Sequence, residues 1–421
     1  MKKMEAHSRR RRTFPFLSSS ASAGGLVLLA LVAACGSGAA TDLQPGGGSG
    51  GSAAGGAPVA SGGSLASGGS GGGSSAGGAA SGGTSSGGTN SGGAPPASGG
   101  APTGPPVARH GALSVVGPQL VDAAQSPVQL KGPSSMWLNW EEDGYAENLD
   151  GLRFMRDDWN ASVVRAAMGV TTTDPFDADY LDQPEEALAR VRAIVDHAIE
   201  LDLYVIIDWH DHEAHTRQSE AIAFFTQMAT EYGHLPNVLY EVFNEPLSPD
   251  GDGHTWDGVL KPYHEAVVTA IRAVDPDNVI ILGTPNWSQH VDTAAMNPLD
   301  ATNPIYKNLM YTLHFYACSH QAELRERGDA ALALGLPLFV TEWGATHADG
   351  GTADNPGVCV EEAQAWHDWM GDNGISWAAW KWDNCPDESC FFVEEGADVA
   401  GNWTDDVLHG HGSFVRDRMR E

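Results

Sequence analysis

The sequence predicts an α/β fold, a (β/α)8 or TIM barrel, with a short N-terminal β-hairpin and, before it, a Gly/Ser-rich linker. Three observations carry this. Strand-like and helix-like stretches alternate eight times over roughly 290 residues, the count of such a barrel. Several strand-like runs are apolar almost throughout, as in a parallel sheet covered on both faces. Polar and aromatic residues gather at the C-terminal ends of the runs, where this barrel collects reactive groups. A doubly wound open sheet is the alternative, but no Gly-rich phosphate loop follows the first strand.

The chain begins with a targeting signature. Lys2, Lys3 and Arg9 to Arg12 are basic, and Leu26 to Val32 form an apolar stretch of signal-peptide rather than transmembrane length. It ends in Val32-Ala33-Ala34-Cys35, which resembles a bacterial lipobox, where the Cys is lipidated and becomes the new N-terminus. A secretory Ala-x-Ala site is the alternative, and either implies export. Residues 1–35 are thus expected to be a signal segment. Residues 36–106 are mostly Gly, Ser and Ala, too poor in apolar surface to offset chain entropy, and are expected to be a disordered linker. A flexible coil of about 70 residues has an r.m.s. span of roughly 45–50 Å, enough to hold a domain clear of a membrane. Residues 107–421 suffice for one large domain with a sizeable core.

Beyond residue 106, 17 Lys and Arg stand against 52 Asp and Glu, a net charge of −35. A surface this acidic repels nucleic acid and anionic lipid. With Cys35 lipidated, Cys318, Cys359, Cys385 and Cys390 remain, an even number that suggests two disulfides in an exported domain. Three pairings are open. Closeness in sequence favours Cys385–Cys390, with Cys318–Cys359 as the second. No Cys-x-x-Cys pair supports zinc.

The hairpin is read from Ala112 to Val116, a Gly117-Pro118 turn, and Leu120 to Asp122. The eight strand-like runs are Val128–Gly132, Ser162–Met168, Leu203–Trp209, Val238–Phe243, Val279–Gly283, Leu309–Phe315, Leu336–Thr341 and Trp377–Trp382. Among the helices, Glu185 to Ile199 shows the clearest periodicity, with Ala187, Leu188, Val191, Ile194, Val195 and Ala198 on one face. Ser219–Tyr232, Trp256–Val274, Gln321–Leu334 and Val360–Trp369 behave alike, and the segment His290–Met296 is short.

The runs end in Ser134-Ser135, Arg165 with Met168, Asp208-Trp209-His210, Asn244-Glu245, Asn286-Trp287, His314-Phe315-Tyr316, Glu342-Trp343 and Trp380-Lys381-Trp382. Glu245 and Glu342 each close an apolar strand. A carboxylate there is costly unless something uses or pairs it. Two carboxylates facing across a cleft are the minimal apparatus for glycoside hydrolysis, one attacking the anomeric carbon and the other moving the proton. Trp140, Trp209, Trp287, Trp343, Trp380 and Trp382 lie at or just beyond strand ends, and indoles stack on the apolar faces of sugar rings. Core packing explains any one of them; six at one rim point to sugar binding.

From about residue 110 onward the chain resembles glycoside hydrolase family 5 and, within it, bacterial endo-β-1,4-glucanases. The resemblance rests on Leu130-Lys131-Gly132, Arg156-Asp157-Asp158-Trp159, Arg165-Ala166-Ala167-Met168, Tyr204 to His210, Asn244-Glu245-Pro246, Trp287-Ser288-Gln289, His314-Phe315-Tyr316, Glu342-Trp343-Gly344 and Ser376-Trp377-Ala378, in family order. It implies Glu245 as acid/base and Glu342 as nucleophile. Arg165 would orient Glu342, Tyr316 would hydrogen-bond it, and His314 would lie beside the acid/base. His210 and Asn244 would hold the sugar at the cleavage subsite above Trp380, with Trp140 and Trp287 as platforms on either side. The chain departs from the family at Met136-Trp137, where relatives carry His and Gly, and at Gly169, where an aromatic is common. It departs again in the loop Asp383 to Glu388, where relatives carry a Lys that contacts the sugar.

The His- and acid-rich stretch Asp208 to His215 lacks His-Glu-x-x-His spacing, and Asp250 to Gly253 lacks the rest of a calcium loop. No Gly-x-Ser-x-Gly elbow supports an esterase. The expectation is thus a metal- and cofactor-free retaining endo-β-1,4-glucanase acting on β-glucan. It would be a monomer, exported and anchored through Cys35 at the bacterial surface or periplasm. A β-mannanase or xylanase on the same scaffold, or a carbohydrate-binding protein with a dead site, are the rivals.

Overall fold

The computed structural model describes residues 104–171, 179–350 and 357–421. The expected signal segment with Cys35, and all but the last residues of the expected linker, lie outside them. No helix among the described residues is long and apolar enough to cross a membrane.

Two short antiparallel strands, β1 (Ser114–Val116) and β2 (Gln119–Val121), form the hairpin, and Gly117 takes the left-handed φ of 58° that its turn demands. Eight parallel strands then close a barrel: β3 (Lys131–Ser135), β4 (Val163–Gly169), β5 (Tyr204–His210), β6 (Val238–Glu241), β7 (Ile280–Leu282), β8 (Leu309–Tyr316), β9 (Leu338–Gly344) and β10 (Trp377–Trp382). The predicted barrel and hairpin are therefore both present.

Most strand boundaries moved by one to three residues; β9, for example, was expected over Leu336–Thr341, and β6 was expected to run on to Phe243. The first barrel strand begins at Lys131, because Val128 and Leu130 instead join a small core that plugs the barrel's N-terminal end. A short helix, Pro106–His110, stands where the linker was expected to give way to strand. Pro106 sits in its first turn, and Gly111 ends it with a φ of 64°.

The helices cover the outside because their apolar positions recur at helical spacing. In Pro184–Glu200 the buried residues are the six predicted ones, Ala187, Leu188, Val191, Ile194, Val195 and Ala198. The Asn148 side chain caps Leu149–Asp157 by accepting from the amides of Asp150 and Gly151.

Inside the barrel the strand period of two sorts residues by height. Val163, Tyr204, Ile206, Leu239, Ile281, Met310 and Phe339 fill the lower interior. Two residues further along the same strands, Arg165, Asp208, Glu241, Thr312 and Thr341 are all fully buried. The interior is therefore apolar below and polar above. Intervening residues such as Ile207, Tyr240 and Val340 face the helices in a second, larger core.

Strand β9 interrupts this alternation. Thr312 pairs with Phe339, but His314 pairs with Glu342, so β9 carries one extra residue against β8. Such a bulge re-aims side chains. Thr341 and Glu342, consecutive in sequence, both reach groups in the barrel interior, while Trp343 returns to the outer core.

Candidate active site

The C-terminal end of the barrel holds the polar layer. Arg165, on β4, is wholly buried and donates from all three of its nitrogens. Its Nε reaches Glu241 Oε2 at 2.7 Å, Nη1 reaches Ser134 Oγ at 3.2 Å and Glu342 Oε2 at 3.3 Å, and Nη2 reaches Asn244 Oδ1 at 2.6 Å and Asp208 Oδ2 at 2.9 Å. Four of these contacts are hydrogen bonds, and the fifth, to Asp208, is an ion pair. The Tyr316 hydroxyl donates to the other Glu342 oxygen at 2.7 Å.

Glu245, just past β6, faces His314 on β8, with Oε1 2.9 Å from Nδ1. One carboxylate oxygen of Glu245, one of Glu342 and a ring nitrogen of His314 lie within 4.8 Å of one another. His210 donates from Nδ1 to Asp208 at 2.6 Å, and its Nε2 accepts from the Asn244 amide at 3.3 Å. The His210 ring stacks on Trp380 at 5.4 Å, inclined by 13°. Trp380 is held from behind by buried His411, whose Nε2 contacts its carbonyl at 2.8 Å. The structure thus brings Arg165, His210, Asn244, Glu245, His314, Tyr316, Glu342 and Trp380 into one constellation.

One guanidinium faces three desolvated carboxylates and cannot neutralise them all. Burial pushes the Asp208 and Glu241 carboxyls up to about 7, against the pull of Arg165. Glu342 is raised for the same reason, with Arg165 and then Tyr316 opposing. His210 and His314 lie well below the ordinary imidazole range, through burial first and Arg165 second, so both rings are neutral.

The loop after β7 is strained toward the site. Asn286, Trp287 and Ser288 all adopt left-handed φ values, 60°, 54° and 56°. Each such non-Gly residue costs on the order of 1–3 kcal/mol. Hydrogen bonds hold it: the Asn286 and Trp287 amides donate to the carbonyls of Leu247 and Pro246, and Ser288 Oγ to that of Asn244. The half-buried Trp287 is thereby tied to the backbone of the Asn244-Glu245-Pro246 corner.

Trp140 is also half-buried but meets the constellation through a neighbour. Trp137 stacks on it at 4.7 Å and 17°, and meets His210 edge-on at 4.3 Å. Met136 and Trp137 pack on a small cluster of Ala167, Tyr316, Ala348 and Trp380. Gly169 admits this loop, since a Cβ there would fall 1.7 Å from Asn139 Oδ1. Three other tryptophans expected at the rim turn away from it. Trp209, Trp343 and Trp382 are fully buried in the outer core, because the residue next to an inward-facing one on a strand points outward.

Cys318 is bonded to Cys359, and Cys385 to Cys390. The second bridge closes the loop after β10, whose Ser389 carbonyl accepts from the Lys381 amide at 2.8 Å. Sequence reasoning missed Glu241 and Thr341 as site residues, and took Ser134 and Asp208 only as strand ends. The available signal was their phase: each lies two residues beyond an apolar interior position or beside one that does.

A family model for cellulase, glycosyl hydrolase family 5, matches residues 121–386. The chain is 41% identical over 309 residues to an endoglucanase of Clostridium saccharobutylicum, covering 73% of this chain and 64% of that one. It is 46% identical over 270 residues to endoglucanase Z of Dickeya dadantii, covering 64% and 59%. It therefore spans less than two thirds of the length of these curated relatives. The catalytic domain of Thermobifida fusca endoglucanase Cel5A, crystallised as a variant with cellotetraose, is 30% identical with a TM-score of 0.67, covering 76% of this chain and 100% of that one. On this agreement of sequence and fold, the chain belongs to the cellulase family, glycosyl hydrolase family 5.

Proposed function

We propose that this chain is a retaining endo-β-1,4-glucanase that hydrolyses internal bonds of cellulose and related β-glucans by double displacement. The observation that carries the reading is the approach of the Glu245 and Glu342 carboxylates, with oxygens within 4.8 Å. Retaining glycosidases hold their carboxyls about 5–5.5 Å apart, whereas inverting ones leave about 6.5–9.5 Å for a water. Glu342 is the nucleophile: Arg165 and Tyr316 each offer its carboxylate a hydrogen bond, which favours the ionised form. Glu245 protonates the leaving oxygen, then takes a proton from the water that releases the glycosyl-enzyme. Asn244 has a second amide hydrogen for a sugar hydroxyl, Trp380 is the stacking floor, and Trp140 and Trp287 are the flanking platforms. The naming of its relatives as endoglucanases, and a cellotetraose complex in one, support a glucan substrate.

The test is reducing-end release from carboxymethyl cellulose, β-mannan and xylan by the native enzyme and by Glu245→Gln and Glu342→Ala. The reading expects preference for the glucan, near-complete loss in Glu342→Ala, and least loss in Glu245→Gln on substrates with good leaving groups. Unimpaired hydrolysis by Glu342→Ala contradicts the roles; preference for mannan or xylan contradicts the substrate.

For location, the Val32-Ala33-Ala34-Cys35 sequence supports export and lipidation at Cys35, with the Gly/Ser-rich stretch tethering a monomeric domain of residues 107–421. Lipid labelling that survives Cys35→Ala contradicts it.

A further inference from the structure

Glu245 must hold a proton for the first half of the reaction and accept one in the second. One of its partners, His314, belongs to a longer chain of buried groups. His314 Nδ1 faces Glu245 Oε1 at 2.9 Å, and His314 Nε2 faces Thr341 Oγ1 at 2.9 Å. The Thr341 hydroxyl donates to Glu241 Oε1 at 2.6 Å, and Glu241 Oε2 accepts from Arg165 Nε at 2.7 Å. Arg165 in turn reaches Glu342. A continuous buried path thus joins the two carboxylates of the cleft, and it exists because the β9 bulge lets Thr341 and Glu342 both serve the interior.

The direction of the hydrogen bonds along this path is set at one end. Ionised Glu241 can only accept, so Thr341 gives it the hydroxyl proton. Thr341 has then no proton for His314, so its oxygen accepts one from His314 Nε2. Its remaining lone pair accepts from Thr312, the other hydroxyl in contact with it. A neutral His314 with its proton on Nε2 presents a lone pair at Nδ1. That lone pair bonds Glu245 only when Glu245 carries a proton, and repels its carboxylate otherwise.

We propose that Glu241 and Thr341 are positioning residues that, through the tautomer of His314, raise the proton affinity of Glu245. The proposal rests on the reading of Glu245 as the acid/base. In the first step the path keeps the proton on Glu245 until the leaving oxygen takes it. Afterwards the Glu245 carboxylate faces an uncompensated lone pair, which makes it a stronger base toward the incoming water.

The charged and titratable groups around Glu241 come from four strands. They are Arg165 on β4, Asp208 opposite it on β5, His314 on β8 with Nε2 3.8 Å away, and Glu342 on β9; its β7 neighbour, Ile281, is apolar. Glu241 is raised to about 7 by burial, with Arg165 and Thr341 opposing, so the polarity is full above that range and reverses as pH falls through it. The consequence therefore falls on the alkaline limb, where Glu245 loses its acid proton; besides His314, that carboxyl faces His212, whose Nδ1 is 3.8 Å from Oε2, and Glu342.

Thr341→Val keeps the shape and removes the hydroxyl, while Thr341→Ser keeps the hydroxyl. The alkaline limb of kcat/KM on an aryl cellobioside is expected to move down by about one pH unit in the Val variant and to stay in the Ser variant. An unmoved limb in Thr341→Val overturns the proposal. Nitrogen-15 NMR of the native enzyme at pH 8, with the His314 signal assigned by its loss in His314→Gln, is a second readout that needs no Thr341 variant to fold. Protonation at Nε2 is expected; protonation at Nδ1 overturns the proposal whatever the kinetics show. Full turnover by Glu245→Gln would overturn the acid/base reading itself, and the tautomer measurement separates that failure from failure of the path.

Discussion

Replacing Arg165 by Met tests whether the polar layer is held together by one cation. The side chain is wholly buried, and its four hydrogen bonds and one ion pair end on three carboxylates, one amide oxygen and one hydroxyl. Methionine fills a similar length without the charge, leaving Asp208, Glu241 and Glu342 uncompensated. Removing one partner of a buried ion pair costs about 3–5 kcal/mol, a large share of the roughly 5–15 kcal/mol that holds a domain folded. The penalty must depend on pH. Asp208 and Glu241 already have folded-state pKa values raised to about 7 by burial, with Arg165 lowering both. A group raised on folding contributes stability that is full below its unfolded pKa and lost as pH rises through the folded one. Without Arg165 both rise further, so the variant should lose most at pH 8 and recover toward pH 5. The assay is urea unfolding followed by Trp fluorescence at both values. A loss under about 1 kcal/mol at pH 8, or one that does not shrink at pH 5, refutes the reasoning.

Other outcomes follow from the same geometry. Tyr316→Phe removes a hydroxyl donor to Glu342, whose carboxyl is already raised by burial; the acid limb of kcat/KM should move to higher pH, and kcat should fall about 10- to 100-fold, as expected for a hydrogen bond to a charged group. A stopped pH–rate series checks this, and an acid limb that stays or falls contradicts it. Trp137→Ala uncovers one face of Trp140 and the edge of His210, so KM for cellopentaose should rise about tenfold, one aromatic contact's worth, with kcat little changed. An unchanged KM means that this indole does not border the bound chain. Breaking Cys318–Cys359, whose partners lie 41 residues apart, should cost about 4 kcal/mol by loop entropy; breaking Cys385–Cys390, 5 apart, should cost about 2. Thermal unfolding of the paired Cys→Ser variants ranks them, and the reverse order contradicts the estimate.

The barrel was legible because eight apolar runs separated by helical periodicity have few other ways to fold, and the face of Pro184–Glu200 was legible residue by residue. Glu245 and Glu342 were legible because each visibly stops an apolar strand. Glu241 was not. It sits inside the run Val238 to Phe243, where one acid among five apolar residues reads as noise until Leu239 is known to face the barrel interior. Thr341 keeps the interior phase of Phe339, but a single threonine before Glu342 draws no notice, and the bulge that lets both residues serve the interior leaves no composition signal. The tryptophans erred for the same reason: position at a strand end locates a residue along the barrel axis, but only phase tells rim from core, and Trp209, Trp343 and Trp382 have the outward phase. Trp137 lies beyond the strands, where period-two reasoning has no hold, and its stacking on Trp140 depends on how the loop folds back.

The claim most directly open to measurement is double displacement between Glu245 and Glu342, whose carboxylate oxygens lie within 4.8 Å of each other. Proton NMR of the anomeric region, recorded in the first minutes of cellopentaose hydrolysis before mutarotation, reads the stereochemistry. The new reducing ends should be released as the β-anomer, the configuration of the bond cleaved. Initial release of the α-anomer would mean a single inverting displacement, and would contradict the assignment of Glu342 as a nucleophile.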